Sequence, residues 1–193
     1  MNKMKLVIEG CNLAGKSTVM EELENRFTDC FVITLHGYYR ENLEKNFPTK
    51  MKLIGYLHNR LMPLAEIFNS VNHEEVFFLR LHLTDIVYCD VFLNHQQNYR
   101  DLENALNKYK VGLILLDAND ETIKTRLRER SANGKAGPWD DKFTNICNKR
   151  DKFLNVFEES QIKYKKIIDT SDTTANQAAD KIIKWWNSLR IDA

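Results

Sequence analysis

The chain has few of the residues that interrupt or cross-link a fold. Its 193 residues include only three prolines, seven glycines and four cysteines. Nothing in it forms a low-complexity linker or an internal repeat that would divide the chain. The cysteines show no C-x-x-C pair, so we expect free thiols in a reducing cytoplasm rather than a disulfide framework.

A surplus of one charge and a long apolar run are also missing. Twenty-eight basic and 27 acidic residues leave a net charge of +1, which indicates neither a nucleic-acid nor a membrane partner. No apolar run approaches the length of a membrane span. Residues 1–5 lead straight into a predicted strand, which leaves no room for a signal peptide. With 43% hydrophobic and 28% charged residues, the composition predicts one globular domain over residues 1–193 that acts on small molecules in the cytoplasm.

The most informative segment runs from residue 10 to residue 18. It follows a short apolar strand, precedes a helical pattern and fits the phosphate-binding loop G-x-x-x-x-G-K-S/T. Its glycines let backbone N–H groups turn toward a phosphate, and the helix N-terminus adds its dipole. Lys16 is predicted to bind the β/γ-phosphates of ATP and Ser17 to ligate Mg²⁺. The whole loop is predicted to bind ATP: Gly10, Cys11, Asn12, Leu13, Ala14, Gly15, Lys16, Ser17 and Thr18.

Apolar segments and helical patterns alternate along the rest of the chain. Strands are predicted at 6–8, 31–35, 76–79, 111–116 and 166–169, with one long helix over 85–109 among the connections. Continuous apolar strands separated by helices predict a five-stranded parallel sheet with helices on both faces, the P-loop NTPase fold of the α/β class. Two glycines and a proline within 131–138 predict a mobile lid over about 126–142.

Several segments, in this order, resemble the thymidylate kinase family of P-loop nucleoside monophosphate kinases, which is related to the deoxynucleoside kinases. Residues 9–18 resemble the family's E-G-x-x-x-x-G-K-S-T loop, and residues 56–60 its F-x-A-D/N-R helix. Residues 79–88 resemble D-R-Y/F-x-x-S-x-x-x-Y/F, residues 116–130 the strand and helix that lead into the lid, and residues 169–171 the turn near the ATP base. The resemblance spans most of the chain.

This resemblance implies an acceptor site and a set of catalytic cations. Tyr56 would stack on the acceptor base, while Arg60 and Arg80 would hold the acceptor phosphate, as guanidinium groups do well. Tyr88 would line the same site, and Arg40 would join it by a looser analogy. The candidate catalytic residues are Lys16, Arg80, Glu9 and Arg130, and Arg126 is a further ATP-binding candidate.

The resemblance predicts an ATP- and Mg²⁺-dependent deoxynucleoside monophosphate kinase of nucleotide biosynthesis, acting on dTMP or a 5-substituted dUMP, and it allows a homodimer. Two departures keep alternatives open. The family's D-R pair is Leu79-Arg80, and an aspartate of the loop is replaced by Asn12. Loss of the D-R carboxylate fits a nucleotide-binding protein with little turnover. A deoxynucleoside kinase is the other alternative, in which Glu9 would serve as the general base.

Overall fold

We describe a computed structural model over residues 3–35, 49–71, 75–134 and 143–189. Five strands lie in these ranges: β1 (Met4–Glu9), β2 (Cys30–Thr34), β3 (Glu75–Leu79), β4 (Gly112–Asp117) and β5 (Tyr164–Asp169). The helices of the same ranges are α1 (Lys16–Arg26), α2 (Lys50–Ser70), α3 (His82–Leu93), α4 (Arg100–Lys108), α5 (Asp120–Ala132), α6 (Phe143–Glu159) and α7 (Ala175–Leu189). The predicted alternation of strands and helices is confirmed.

All the strand pairs are parallel, in the order β2-β3-β1-β4-β5. The central strands β3, β1 and β4 are apolar in their middle because both of their faces are covered, and their charged residues lie at or near the strand ends. Every residue of β3 is buried, for example, and the aromatic rings of Phe77 and Phe78 are fully enclosed. The predicted five-stranded parallel sheet is confirmed.

The direction of the crossovers explains why helices cover both faces. The chain leaves β1 toward one edge of the sheet to form β2, and later crosses β1 in the other direction between β3 and β4. Because such crossovers are right-handed, the two directions place their helices on opposite faces. The reversal next to β1 creates a crevice at the carboxyl ends of β1 and β3, which is where open α/β sheets bind ligands.

The predicted single helix over 85–109 is wrong. The structure has two helices there, and α3 ends where Asn94 adopts a left-handed conformation with φ 44°. The backbone N–H groups of Asn94 and His95 then bond to the carbonyls of Asp90 and Cys89 at 3.1 and 3.2 Å. Asparagine tolerates this conformation better than most residues, so it ends the helix as glycine commonly does.

The predicted lid lies partly within the described residues. Residues 126–132 belong to α5, whose Asn119 side chain accepts a hydrogen bond from the Thr122 N–H at 2.9 Å. The positions 135–142 fall outside the described residues, so a mobile lid stays a prediction. Within the described ranges, no helix is both long and apolar enough to cross a membrane.

Candidate active site

The phosphate-binding loop joins β1 to α1 in a conformation that requires its glycines. Gly10 has φ 145°, and a Cβ atom there would lie 2.4 Å from the Leu116 carbonyl oxygen. Gly15 has φ 87° and precedes α1, which has neither a side-chain cap nor an acidic residue in its first turn. The first N–H groups of this helix and its dipole therefore make the loop suitable for an anion.

Lys16 is buried at the base of this loop. Its Nζ atom donates hydrogen bonds to the carbonyl oxygens of Gly10 and Cys11 at 2.8 and 2.6 Å. Burial, and next the nearby charge of Arg80, lower the pKa of Lys16 from 10.5 to about 8. A phosphate in the loop would favour the charged ammonium, so this lysine is suited to bind an anion.

Glu9, the last residue of β1, caps the start of α3. Its Oε1 atom accepts hydrogen bonds from the backbone N–H groups of Leu81, Leu83 and Thr84 at 2.7, 3.0 and 3.3 Å. Its Oε2 atom accepts one from the Thr84 hydroxyl at 2.5 Å. The side chain has 0% exposure. This arrangement argues against the predicted general base, because both oxygens are engaged and solvent does not reach them.

Arg80 follows β3 directly and adopts a left-handed conformation with φ 69°. Its N–H continues the sheet by bonding to the Ile8 carbonyl at 2.9 Å, which fixes the turn against β1. The preceding Leu79 is only 4% exposed and belongs to the hydrophobic core. Arg80 therefore faces the crevice, whereas the position of the family's carboxylate is part of the apolar sheet.

A cavity of about 820 Å³ opens at these carboxyl strand ends, a size that suits a nucleotide or similar ligand. Many of the predicted site residues line it: Asn12, Leu13, Gly15, Lys16, Ser17, Thr18, Arg80, Tyr88, Arg126 and Arg130. The Tyr88 hydroxyl donates to the Asn12 Oδ1 atom at 3.0 Å, which links α3 to the loop. Glu9, Gly10, Cys11 and Ala14 support this wall without lining it.

Arg126 connects the loop to the end of β5. Its guanidinium donates to the carbonyl oxygens of Leu13 and Thr170 at 2.8 and 2.7 Å. Thr170, which is buried, also contacts the loop through its hydroxyl, 3.1 Å from the Ala14 carbonyl oxygen. The turn that the resemblance placed near the ATP base thus lies against the loop.

The predicted acceptor residues on α2 do not line the cavity. Tyr56 is 45% exposed. The Arg60 guanidinium bonds to both oxygens of Asp85, at 2.8 and 3.2 Å, and Tyr99 donates to the same carboxylate at 3.2 Å. The structure brings Arg80 and Tyr88 into the cavity but holds Arg60 at this buried carboxylate. Arg40 lies outside the described residues.

Phe92 and Lys149 are two of the lining residues that the sequence analysis did not identify. Phe92 lies one helical turn after Tyr88 on α3, and Lys149 lies on α6. The buried residues of α6 are Ile146, Lys149, Phe153 and Phe157. Lys149 thus occupies a core position of the helical period, and a lysine within an apolar stripe is the signal that could have identified it.

A bidentate ion pair fixes α6 to the end of β4. Arg150 donates from Nε and a terminal nitrogen to the two carboxylate oxygens of Asp117, at 2.6 and 2.8 Å. A further nitrogen reaches Asp120 at 3.3 Å. The hydrogen bonds to Asp117 raise the pKa of Arg150 further. The pair holds the neighbouring Lys149 at the cavity wall.

The described residues contain no group of three or more His, Cys, Asp or Glu side chains that would hold a metal ion. Mg²⁺ commonly binds through one or two protein oxygens, with water and substrate phosphates completing its shell. The exposed Ser17 hydroxyl at the start of α1 fits that role for a metal that arrives with a nucleotide.

Solved structures that include a thymidylate kinase and a deoxyadenosine kinase are similar to nearly the whole of this chain. The YorR protein of Bacillus subtilis, in complex with phosphorylated GDP, is 21% identical with a TM-score of 0.68 over 98% of this chain and 99% of that one. A thymidylate kinase from Candida albicans is 17% identical with a TM-score of 0.62, over 98% of this chain and 93% of that one. A deoxyadenosine kinase from M. mycoides, with the products dCMP and a flexible dCDP bound, is 17% identical with a TM-score of 0.59, over 96% of this chain and 100% of that one. The chain has the P-loop NTPase fold.

This likeness confirms the predicted fold class and agrees with the resemblance to the thymidylate kinases. No family model matches the chain, and no curated protein matches it. The structural neighbours include kinases of nucleosides and of nucleotides, so the fold does not select the acceptor. That choice depends on the residues of the cavity.

Proposed function

We propose that the protein is an ATP- and Mg²⁺-dependent deoxynucleoside monophosphate kinase, with dTMP or a 5-substituted dUMP as the best-supported acceptor. The observation that carries this proposal is the joint position of Lys16 and Arg80 in one cavity at the carboxyl ends of β1 and β3. Phosphoryl transfer between two nucleotides requires a phosphate site for each of them. The loop supplies the first and Arg80 the second.

The chemistry required of the protein is positioning and charge neutralisation. The N–H groups of the loop and the start of α1 bind the donor phosphates, and Lys16 neutralises the transferred group. Ser17 would hold Mg²⁺, which neutralises charge on the donor phosphates when bound. Arg126, which contacts both the loop and Thr170, keeps the donor side rigid. Arg130 lines the same cavity and would add transition-state charge.

The geometry of Glu9 favours a phosphate acceptor over a hydroxyl acceptor. A nucleoside hydroxyl benefits from a general base in the transition state, whereas a phosphate oxygen already carries negative charge. Glu9 is completely engaged in capping α3. This engagement of Glu9 counts against the deoxynucleoside kinase alternative, in which Glu9 would be the general base.

A second candidate function rests on Leu79. A nucleotide-binding protein with little turnover would keep the loop and the cavity but dispense with the carboxylate of the D-R pair. Leu79 occupies that position and is buried in the core. Measured turnover separates this candidate from the kinase, since both bind nucleotides.

Binding to matched ligands tests the acceptor assignment. Charge-assisted hydrogen bonds contribute roughly 1.5–3 kcal/mol each, so we expect dTMP to bind at least about tenfold more tightly than thymidine. Arg80→Ala should remove most of that difference while ATP affinity stays within about threefold. Arg128→Ala is the control, because Arg128 lies on α5 but outside the cavity lining. It should leave the difference between dTMP and thymidine unchanged. Tighter binding of thymidine than of dTMP would contradict the proposal.

A further inference from the structure

Lys149 is a buried cation inside the cavity that no motif accounts for. Its side chain is 2% exposed and yet belongs to the cavity lining. Its Nζ atom lies 5.4 Å from the ring centroid of Tyr88 and 5.8 Å from that of Phe92. Both aromatic residues belong to α3, so the ammonium group lies between α6 and the α3 wall of the cavity.

The electrostatic environment of Lys149 is positive. Burial, then the charge of Arg80 and to a smaller extent that of Lys149, lower the pKa of Lys16, whereas Cys11 and Glu9 raise it. The described lining contains five cations, Lys16, Arg80, Arg126, Arg130 and Lys149, and no aspartate or glutamate. A phosphate that binds among these like charges would offset their mutual repulsion in the desolvated cavity.

We propose that Lys149 binds the phosphate of the acceptor nucleotide, on the side of the cavity formed by Tyr88 and Phe92. This inference rests on the proposed function and assigns to it a second phosphate ligand beside Arg80. The ammonium group would bind a phosphate oxygen, and the two rings would hold the lysine stem and keep water away from the pair.

The position of Lys149 favours the acceptor phosphate over the donor. The donor side is marked by Arg126 and Thr170, which bond to the loop next to the start of α1. Lys149 instead contacts rings of α3, the helix that begins two residues after Arg80. Arg80 and Lys149 thus approach the cavity from the end of β3 and from α6, beside the α3 wall.

A packing role is the competing explanation, and Lys149→Met tests it. Methionine keeps the length and apolar stem of the lysine but removes its charge. If Lys149 only packs on Tyr88 and Phe92, this variant will bind anions normally. Lys149→Arg restores a cation at the same position. Lys152→Met is the matched control, because Lys152 lies on α6 and pairs with Asp90 outside the cavity lining.

The experiment uses the full chain saturated with ADP, so that the loop is occupied and only the acceptor side stays open. Calorimetry measures the affinity for dTMP and thymidine, and phosphorus NMR titration measures that for orthophosphate, which carries the charge without a base. We expect Lys149→Met to weaken dTMP and orthophosphate binding by roughly tenfold or more. Thymidine binding, and ADP binding to the free protein, should change by less than about twofold. Lys149→Arg should recover most of the loss, and Lys152→Met should show none.

Other outcomes separate this inference from the proposed function. Three results would overturn the role of Lys149. The native protein could bind no orthophosphate, Lys149→Met could bind it as tightly as the native protein, or Lys149→Met could lose orthophosphate and ADP affinity together. If the native protein binds orthophosphate through Lys149 but binds no dTMP, the role of Lys149 stands and the proposed acceptor fails.

Discussion

Single residues in this site derive their chemistry from burial. The pKa of Lys16 is lowered to about 8, because the protein removes this lysine from water and places Arg80 nearby. Glu9 is an acid by sequence but acts as a helix cap. For both residues the sequence motif identifies the side chain as important, and its surroundings in the fold determine its role.

We expect nucleotide affinity to fall as the pH rises above about 8, since Lys16 then loses its proton in the free protein. Bound phosphates favour the ammonium form, so binding above this pH should take up a proton. Calorimetry of ATP binding at pH 8.5, in buffers of different ionisation enthalpy, measures this uptake. Lys16→Arg should abolish it, because arginine stays charged. Equal affinity from pH 7 to pH 10 would contradict the assignment.

The same lowered pKa has a consequence for stability. Between about pH 8 and 10.5 the unfolded chain keeps the proton on Lys16 that the folded chain has lost. The unfolded state therefore binds more protons, and the contribution of Lys16 to the free energy of unfolding rises with pH across this window. Urea denaturation of native protein and Lys16→Met at pH 7 and 9.5 measures it. The free energy of unfolding should change differently between the two pH values in the two proteins. An identical change in both would show that folding does not shift the pKa of Lys16.

Glu9→Gln distinguishes a cap from a base. The amide keeps one acceptor oxygen but places an NH₂ group against the Thr84 hydroxyl, so we expect a loss of about 1–3 kcal/mol in the free energy of unfolding. Activity should fall only as far as the loss of folded protein explains. A variant that is fully stable but inactive would restore the general base and the deoxynucleoside kinase alternative.

At the scale of elements, the strands and the loop follow from local sequence, while the contacts between elements do not. Apolar runs predict the strands because both faces of this sheet are covered, and the loop motif fixes its own geometry. The end of α3 depends on one residue, Asn94, whose left-handed conformation no apolar period indicates. The Glu9 cap joins residues more than 70 positions apart, so it appears only once the strand order is known.

Substitutions of Leu79 test whether this position is only a buried strand end or can also hold a metal ligand. Leu79→Asp would place an unpaired carboxylate in the core, which we expect to lower the free energy of unfolding by about 3–5 kcal/mol. Asparagine has nearly the same shape as aspartate but carries no charge. Leu79→Asn should therefore lower the free energy of unfolding by less than Leu79→Asp at neutral pH. Urea denaturation with and without Mg²⁺ measures both. Full recovery of Leu79→Asp by Mg²⁺ would show that this position can serve a metal after all.

At the scale of the whole molecule, the parallel sheet gathers cations from distant segments at one edge. The loop after β1, the turn after β3, and helices α5 and α6 each contribute a cation to one cavity. The sequence predicted the segments from β1, β3 and α5 because each belongs to a motif. It missed Lys149 because helix α6 carries no motif, and its approach to α3 is a product of tertiary packing.

The central claim is that this cavity transfers a phosphoryl group from ATP to a nucleoside monophosphate. Phosphorus NMR of the protein with Mg-ATP and either dTMP or thymidine measures it directly, since dTDP and dTMP are distinct products. We expect dTDP to form, with a kcat/KM for dTMP at least about a hundredfold above that for thymidine, and Lys16→Ala to lower turnover by roughly a hundredfold or more. Formation of dTMP from thymidine in preference to dTDP, or no transfer to any nucleoside monophosphate, would contradict it.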